Sequence, residues 1–328
     1  MNVHAHFERC LSGRGLAMIA IRNVVCPVDF STATERQVTL AVDVCRAFSA
    51  RLILHHNVTD VSVGAAVGWM WHARETEPPA AEPIDAQLRR LLTLVPDGMA
   101  VETCITRGAA TEGVVRVSEA ADADVVVLCE HAGKAEDHAS VIEHMLAHST
   151  RAVLALHDAG QDDRSPQFTP AGDERRPQVL LVPVSLSPDA HPQLDFAAEL
   201  ARTFPLTLHL LHVVEPILTR RDDGDADPRS RIEALIPADL RGRAIVHIED
   251  GEAVPVIVDL ARGIRAACIV MGEHTRVPVK RWLKHDTARA VLHDAHCPVW
   301  YVPAPPRVAQ PLSRFALSDE RSSLWGNV

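Results

Sequence analysis

The sequence predicts two α/β domains in tandem, each a doubly wound, mostly parallel sheet of five strands flanked by helices. Three observations predict this fold class. Residues 23–58 recur at 179–214 without a gap, and residues 108–131 recur in the same way at 251–274. In both copies, continuous apolar runs alternate with amphipathic segments. Because the two copies are about one domain length apart, the repeat indicates two homologous domains and not a solenoid.

The first half of each repeat predicts a strand, a helix and a second strand. Apolar runs at 24–28 and 179–184 are typical of strands that are buried on both faces. A turn rich in Ser, Thr or Pro follows each run and predicts the start of a helix. Apolar side chains at helical spacing come next, and further apolar runs at 52–54 and 206–214 predict the second strand. A β-α-β order implies right-handed crossovers and a parallel sheet.

The second half of each repeat follows the same order in both copies. Helices are predicted around 84–94 and 229–240, and short strands follow at 100–105 and 244–248. The second repeated block adds a helix and a strongly apolar strand. A last helix then leads to a closing strand. These remaining strands are predicted at 125–129 and 152–156 in the first repeat and at 268–272 and 298–302 in the second.

The repeats set the expected domain bounds. We expect a first domain over 18–157, a linker rich in Asp, Arg, Pro and Gly over 158–177, and a second domain over 178–303. Residues 304–328 lack clear periodicity and predict a flexible tail. The first repeat begins near Met18, so residues 1–17 are either an extension or the result of a misplaced start codon.

Composition excludes several classes of function. The formal net charge of -10 argues against a nucleic-acid partner, since such proteins usually carry a basic face. There is no run of 18 apolar residues, so no membrane span is predicted. Charged residues interrupt the first 17 positions, which argues against a secretory signal. Seven cysteines without a C-x-x-C pair fit the reducing cytosol, and we expect a cytoplasmic protein.

The ordered motifs resemble those of the universal stress protein family, in a tandem two-domain form. The resemblance rests on the strand and turn at 26–31 and 182–187, the strand 208–213, the helix-strand-turn that ends at His274, and the closing strand 297–302. It implies Rossmann-like domains of the adenine nucleotide alpha hydrolase-like type. It also implies that the closing strands 152–156 and 298–302 bring the two repeats together as an intramolecular pseudo-dimer, while a further homodimer remains open.

The resemblance also implies an adenine nucleotide, ATP, as the one cofactor to consider. Nucleotide-binding members carry G-x-x-G, nine residues and then G-S/T after the fourth strand, where backbone N–H groups and a helix N-terminus favour phosphate. Candidate contacts carried over to this chain are Pro27, Val28, Asp29, Val58 and His131 in the first repeat, and Val184, Ser185, Val214, Gly272, His274, Lys280 and Thr287 in the second.

Both repeats depart from the phosphate-binding pattern. In the second repeat, Gly272 keeps the first glycine position, but Thr275 replaces the second and His285-Asp286 replaces the Gly-Ser pair. The Asp286 carboxylate would repel phosphate. In the first repeat, Cys129 and Ala132 stand at the two glycine positions. The strand-end Asp is kept only there, as Asp29, so neither repeat has a full site.

Other chemistry has weaker support in the sequence. His144 and His148 share a helix face, and His293 and His296 are three residues apart, but neither pair has further ligands at a suitable spacing, so no metal is predicted. His131 and His274 recur at one position, which indicates common ancestry and a structural role. There is no G-x-S-x-G elbow, H-E-x-x-H or P-loop, so no catalytic residues are predicted.

Three functions remain in order of preference. The first is a stress-response protein that binds other proteins and has degenerate nucleotide sites in both domains. The second is an ATP-binding switch or slow ATPase that uses the loop 272–287. The third is an enzyme of a related nucleotide-dependent α/β family, which would need a phosphate-cradling glycine loop that the sequence lacks.

Overall fold

The computed structural model describes residues 21–58, 83–131, 136–158, 178–186, 191–214, 227–272 and 281–303. Within helices and strands, the description covers the backbone but not the side chains of residues 131, 136–140, 158 and 281–286. Several predicted features lie outside the described part of the chain. They are the expected N-terminal extension, most of the linker, the end of the predicted turn at 187–188, the tail, and the candidate residues His274 and Lys280.

The first repeat contains the five predicted strands with helices between them. Its elements are β1 (Asn23–Val28), α1 (Thr34–Phe48), β2 (Arg51–Val58), α2 (Ile84–Leu92), β3 (Val101–Arg107), α3 (Ala110–Ala120), β4 (Val125–His131), α4 (Glu136–His148) and β5 (Ala152–Asp158). The second repeat follows the same order. Its elements are β6 (Gln178–Pro183), α5 (Pro192–Thr203), β7 (Leu206–Val214), α6 (Pro228–Leu235), a 3-10 helix (Ala238–Arg243), β8 (Ala244–Asp250), α7 (Ala253–Gly263), β9 (Cys268–Gly272), α8 (Arg281–Asp294) and β10 (Val299–Val302).

The strands form one ten-stranded sheet in the described part of the chain, in the order β3-β2-β1-β4-β5-β10-β9-β6-β7-β8. Neighbouring strands are parallel within each repeat, and only β5 and β10 pair antiparallel. The predicted fold class is therefore confirmed. The predicted contact between the closing strands is also present, because these strands join the two half-sheets.

The junction between β5 and β10 has the register of a two-fold interface. Ala155 pairs with Val299, Leu154 with Trp300, and Val153 with Tyr301. With the shift of 146 positions that aligns the closing strands, Leu154 and Trp300 are equivalent residues, and they face each other. The junction is therefore isologous, as in a symmetric dimer, but lies within one chain.

Apolar layers cover both faces of the sheet and continue across the junction. One face is covered by α1, α2, α5 and α6, and its core contains residues of both closing strands, Leu154 and Trp300 among them. The other face is covered mainly by α3, α4, α7 and α8, and its core contains Val153, Val299 and Tyr301. The two repeats consequently share their hydrophobic core and are not separate bodies joined by a linker alone.

Two local differences from the predicted elements have clear causes. The helix predicted over 229–240 is wrong in extent, because α6 ends at Leu235. Ile236 precedes Pro237 and has an extended backbone, with φ -74 and ψ 123, as expected before a proline. The last strand begins at Val299 and not at Pro298, since proline has no N–H to donate to the ladder.

Trp300 is the largest fully buried side chain of the described residues, with 0% exposure. Its ring lies 4.9 Å from the ring of Phe196, which α5 supplies from the second repeat. At the amino ends of the strands, Phe48 and its equivalent Phe204 meet edge to face at 5.4 Å. The contact of Phe48 with Phe204 therefore joins equivalent residues above the sheet, as the pair Leu154 and Trp300 does within it.

We predict that Trp300→Ala lowers the free energy of unfolding by about 3–5 kcal/mol, because it empties the centre of the shared core. Trp300→Phe keeps most of the ring volume and should cost clearly less. Urea denaturation of the full chain measures both. A loss for Trp300→Ala within about 1 kcal/mol of zero, smaller than any typical core truncation, would contradict a core that is continuous across β5 and β10.

His55 and His56 point to opposite faces of β2, as their adjacency on a strand predicts. His55 is 1% exposed, and its Nε2 lies 2.8 Å from Thr106 Oγ1. The Thr106 hydroxyl donates to Asn57 Oδ1, so the His55 ring must donate to Thr106 from Nε2. Burial of the ring, with His56 and Arg116 nearby, lowers the pKa of His55 to about 4.

This lowered pKa predicts acid sensitivity. The native state holds His55 neutral while the unfolded chain takes up a proton, so the stabilisation is complete above about pH 6.5 and is lost as the pH falls through about 4. Between pH 7 and pH 5, His55 should account for about 2 kcal/mol of lost stability. Urea unfolding at both values should show a smaller decrease for His55→Gln than for the native chain. His148→Gln, at an exposed helix end, is the control and should leave the decrease unchanged.

Candidate functional site

The sheet order creates one crevice in each repeat. The chain leaves β1 for β2 on one side and returns as β4 on the other, and β6, β7 and β9 are arranged in the same way. In such sheets, ligands bind outside the carboxyl ends of the strands where the order reverses. The loops after β1 and β4, and after β6 and β9, are therefore the places where the candidate nucleotide contacts belong.

In the first crevice, the Asp29 carboxylate holds its own loop. Its Oδ1 accepts hydrogen bonds from the Ser31 backbone N–H at 3.0 Å and from the Thr34 hydroxyl at 2.9 Å. Thr34 begins α1, so the carboxylate fixes the turn that connects β1 to this helix. One Asp29 oxygen therefore has a structural role, at a position that the resemblance implies as a nucleotide contact.

Phe30 closes the same turn from the other side. It has a positive φ of 59, a conformation that bulky residues rarely adopt, and its ring lies 4.4 Å from the ring of His56. His56 Nδ1 lies 2.8 Å from the Val28 carbonyl oxygen, and its equivalent His212 lies 3.1 Å from Val184. In both repeats a histidine of the second strand thus anchors the end of the first strand.

The ends of β2 and β7 are also tied to the neighbouring strand. The Val58 carbonyl accepts a hydrogen bond from the Gly108 N–H at 3.1 Å, and Val214 accepts one from Gly251 at 3.2 Å. Both glycines have a positive φ, 111 and 147, which explains the need for glycine at the start of the second repeated block. The candidate contacts Val58 and Val214 therefore lie at the correct edge, with their carbonyls bonded to a turn.

Gln37 and Gln193 are buried polar residues that sequence reasoning missed. Gln37 Nε2 donates to the Pro27 and Val127 carbonyls, at 2.7 and 2.8 Å, and so links β1 to β4. Gln193 Nε2 lies 3.3 Å from the Pro183 carbonyl of β6. The signal was in the sequence, because these two glutamines are among the identities shared by the repeats.

Gln193 gives Gly272 a packing role. A Cβ at Gly272 would come within 2.6 Å of Gln193 Cδ, so a larger residue at the end of β9 would require the glutamine side chain to move. In the first repeat, Cys129 takes the equivalent position and is buried, with 6% exposure. Gly272 thus has a close contact with a glutamine side chain that involves no phosphate.

The remaining candidate residues are placed as follows. Pro27 and Val28 end β1, Val184 and Ser185 follow β6, and His131 ends β4. Thr287 lies half-buried in the second turn of α8. Glu136 and Asp137 belong to the first turn of α4. Arg231 donates from Nη2 to the Leu186 carbonyl at 2.8 Å, which puts a guanidinium at the loop after β6.

The structure also brings together three residues that no spacing pattern relates. Glu130 in β4, His157 in β5 and His293 in α8 each offer one ligand atom, and these atoms lie within 4.8 Å of one another. Sequence reasoning had paired His293 with His296 instead. The helix pair His144 and His148 does share a face, with ring centroids 4.7 Å apart.

A family model, that of the universal stress protein family, matches residues 20–157 and 177–303. The chain belongs to the universal stress protein family. Both matched segments end with one of the two strands that form the junction. Family membership therefore accounts for the repeated fold, and it leaves the ligand of each repeat to be argued from the residues of this chain.

Solved structures agree on the fold. A universal stress protein from Archaeoglobus fulgidus is 17% identical, covers 87% of this chain and 97% of its own, and has a TM-score of 0.60. A protein of unknown function from Pseudomonas aeruginosa is 16% identical, covers 89% of this chain and 95% of its own, and has a TM-score of 0.55. At these identities the likeness extends to the fold alone.

Among the described helices, none has the length and apolar character required to cross a bilayer.

We predict that Gly272→Ala lowers the free energy of unfolding by about 1–3 kcal/mol, because the added methyl overpacks the site of Gln193. Removing the glutamine side chain makes room for it. In a double-mutant cycle, Gly272→Ala should therefore cost much less in a Gln193→Ala background. Equal costs in both backgrounds, measured by urea unfolding, would show that Gly272 is required for a different reason.

Proposed function

We propose that this chain is a cytoplasmic stress-response protein that acts by binding other proteins, and that both nucleotide sites are degenerate. The observation that carries the proposal is the contact between Gly272 and Gln193. At the one glycine that remains from the phosphate-binding pattern, the buried Gln193 side chain occupies the place where a Cβ would lie. No catalytic residues are proposed, and the expected partners are proteins, not nucleic acids or membranes.

The first repeat supports the same conclusion. Asp29 accepts two hydrogen bonds from its own turn, and Cys129 adds a side chain at the first glycine position. The Val58 carbonyl bonds the Gly108 N–H. Each feature is a stable local structure that needs no ligand to complete it, as expected when a fold is kept for its surface and not for its crevice.

A cytoplasmic location is supported by the state of the cysteines. Six cysteines are free and buried in the described residues. Burial raises the pKa of the thiols of Cys45 and Cys297 to about 12, so they are protonated and unreactive at neutral pH. Buried free thiols of this kind fit a reducing compartment.

Quaternary structure follows from the use of the closing strands. Family members commonly pair through the last strand of each domain, and here β5 and β10 already pair within the chain. We therefore propose that the two repeats form an intramolecular pseudo-dimer. A homodimer would have to use a different surface.

One observation favours the second function, an ATP-binding switch or slow ATPase in the second repeat. Arg231 places its guanidinium at the loop after β6, and Thr287 lies half-buried in α8. A cation and a hydroxyl near the crevice are groups that phosphate binds. In this account ATP would contact the loop 272–287, and the Asp286 carboxylate would repel its phosphates.

Isothermal titration of the full chain with Mg-ATP separates the two functions. The proposal predicts no binding by the native protein at millimolar ATP. It predicts a gain of affinity in Asp286→Ser, because the change removes a carboxylate beside the expected phosphate position. Asp294→Ser makes the same change at the far end of α8, where the residue is exposed, and should show no gain.

Micromolar binding by the native chain would overturn the degenerate-site proposal. It would favour the switch, and Arg231→Gln should then weaken the binding. Gains of equal size in the ATP affinity of Asp286→Ser and Asp294→Ser would reflect only the change in net charge. Such a result would contradict a specific role of Asp286 in preventing ATP binding.

A further inference from the structure

Three side chains converge beside the junction, at the carboxyl end of β5. Glu130 is the last residue but one of β4, and His157 is the last but one of the neighbouring strand β5. Their register pairs them directly across the ladder. His293 comes from the last turn of α8 and therefore from the second repeat. Two elements of one repeat and one of the other thus supply the cluster.

The distances fit ligands of a single metal ion. His157 Nδ1 lies 3.3 Å from Glu130 Oε2, and His293 Nδ1 lies 3.8 Å from the same oxygen. Around a tetrahedral Zn²⁺ with bonds of about 2.0–2.1 Å, neighbouring ligand atoms are about 3.4 Å apart. Two of the separations bracket this value, and all three ligand atoms lie within 4.8 Å of one another, so side-chain rotations would complete the geometry.

The hydrogen bonding of the cluster is incomplete without a further atom. Glu130 Oε2 and His157 Nδ1 are both buried, and neither makes a hydrogen bond of good geometry within the described residues. They lie within ion-pair distance, but the imidazole nitrogen is not aligned on the oxygen. Buried polar atoms normally find partners, and one metal ion could bind both of these atoms.

The cluster is reachable from solvent on one side. The side chains of Glu130 and His157 are 14% and 8% exposed, whereas that of His293 is 62% exposed. The two imidazole rings meet edge to face, with centroids 4.7 Å apart. An ion can therefore enter past His293 and reach two preorganised inner ligands.

The internal symmetry shows that the fold itself does not require the cluster. The pseudo-two-fold relates His157 to Pro303 and His293 to Ala147, by the shift of 146 positions. Neither equivalent residue can bind a metal. A cluster that the fold required would be present at both ends of the junction, whereas this one exists at only one end.

We propose that Glu130, His157 and His293 bind a divalent transition-metal ion, with Zn²⁺ as the natural candidate, and that this ion links the two repeats. Two imidazoles and one carboxylate suit Zn²⁺, Co²⁺, Ni²⁺ and Cu²⁺ better than Mg²⁺ or Ca²⁺, which prefer oxygen ligands. Three protein ligands leave a fourth position for water or for a side chain of a partner protein. None of the three residues is among the candidate nucleotide contacts, so the site does not depend on nucleotide binding.

The main competitor for added metal is the helix pair His144 and His148. These rings are one turn apart on α4, with centroids 4.7 Å apart, and two such imidazoles can chelate an ion on their own. The pair lies wholly within the first repeat. A test must therefore distinguish a site that joins the repeats from a surface chelate on one helix.

The experiment is a titration of the metal-stripped full chain with Co²⁺, followed by the visible absorption of the bound ion. The native chain is expected to bind one Co²⁺ with the intense bands of tetrahedral coordination. His293→Ala removes an exposed ligand without disturbing the core and should weaken this binding by at least ~100-fold, since loss of an outer partner alone costs 10–100-fold. Glu130→Gln keeps the shape and should have a similar effect.

The control variant is His144→Ala with His148→Ala, which should keep the tetrahedral Co²⁺ spectrum and bind within about 3-fold of the native chain. The proposal is overturned if the native chain shows no tetrahedral Co²⁺, or if His293→Ala binds as the native chain does. It is also overturned if the double helix variant alone abolishes binding.

A second readout tests the link between the repeats. Zn²⁺ should raise the Tm of the native chain, because an ion that binds only the folded state stabilises it. The rise should be absent in His293→Ala and retained in the helix-pair control. An equal rise in Tm for the native chain and His293→Ala would contradict a metal link through α8.

Discussion

The antiparallel pairing of β5 with β10 is the constraint on which the rest of the structure depends. Without it, each repeat would end in an open edge strand, and Leu154 and Trp300 would lose their neighbours from the other repeat. With it, ten strands form one sheet, and the apolar layers on both faces run through both repeats. The contact between the two repeats therefore lies within one chain and has the form of a symmetric dimer interface.

This arrangement separates two regions with different histories. The crevices at the carboxyl ends of β1 and β6 occur twice, and each contains a local contact, through Asp29 in the first and Gln193 in the second. The junction occurs once, and the symmetry there is broken by His157 and His293. The proposed metal site at the junction and the proposed loss of nucleotide binding in the crevices both fit a protein that works through its surface.

The sequence predicted most of the fold and little of the site geometry. The repeat, the apolar runs and the opposite orientation of His55 and His56 follow from periodicity alone. The early end of α6 was also readable, since Pro237 disfavours helix at the preceding residue. The meeting of His157 with His293 was not, because it depends on the register of two strands far apart in the chain. The role of Gly272 likewise required the position of Gln193.

Hydrogen exchange of the full chain, followed by mass spectrometry, tests the central claim most directly. If β5 and β10 pair at the centre of one sheet, the amides of residues 153–155 and 299–301 exchange as slowly as those of the central strands β1 and β6, because all of them open only on global unfolding. Exchange of these amides within seconds, at the rate expected for an unpaired edge, would show that the two repeats are independent domains and would contradict the account.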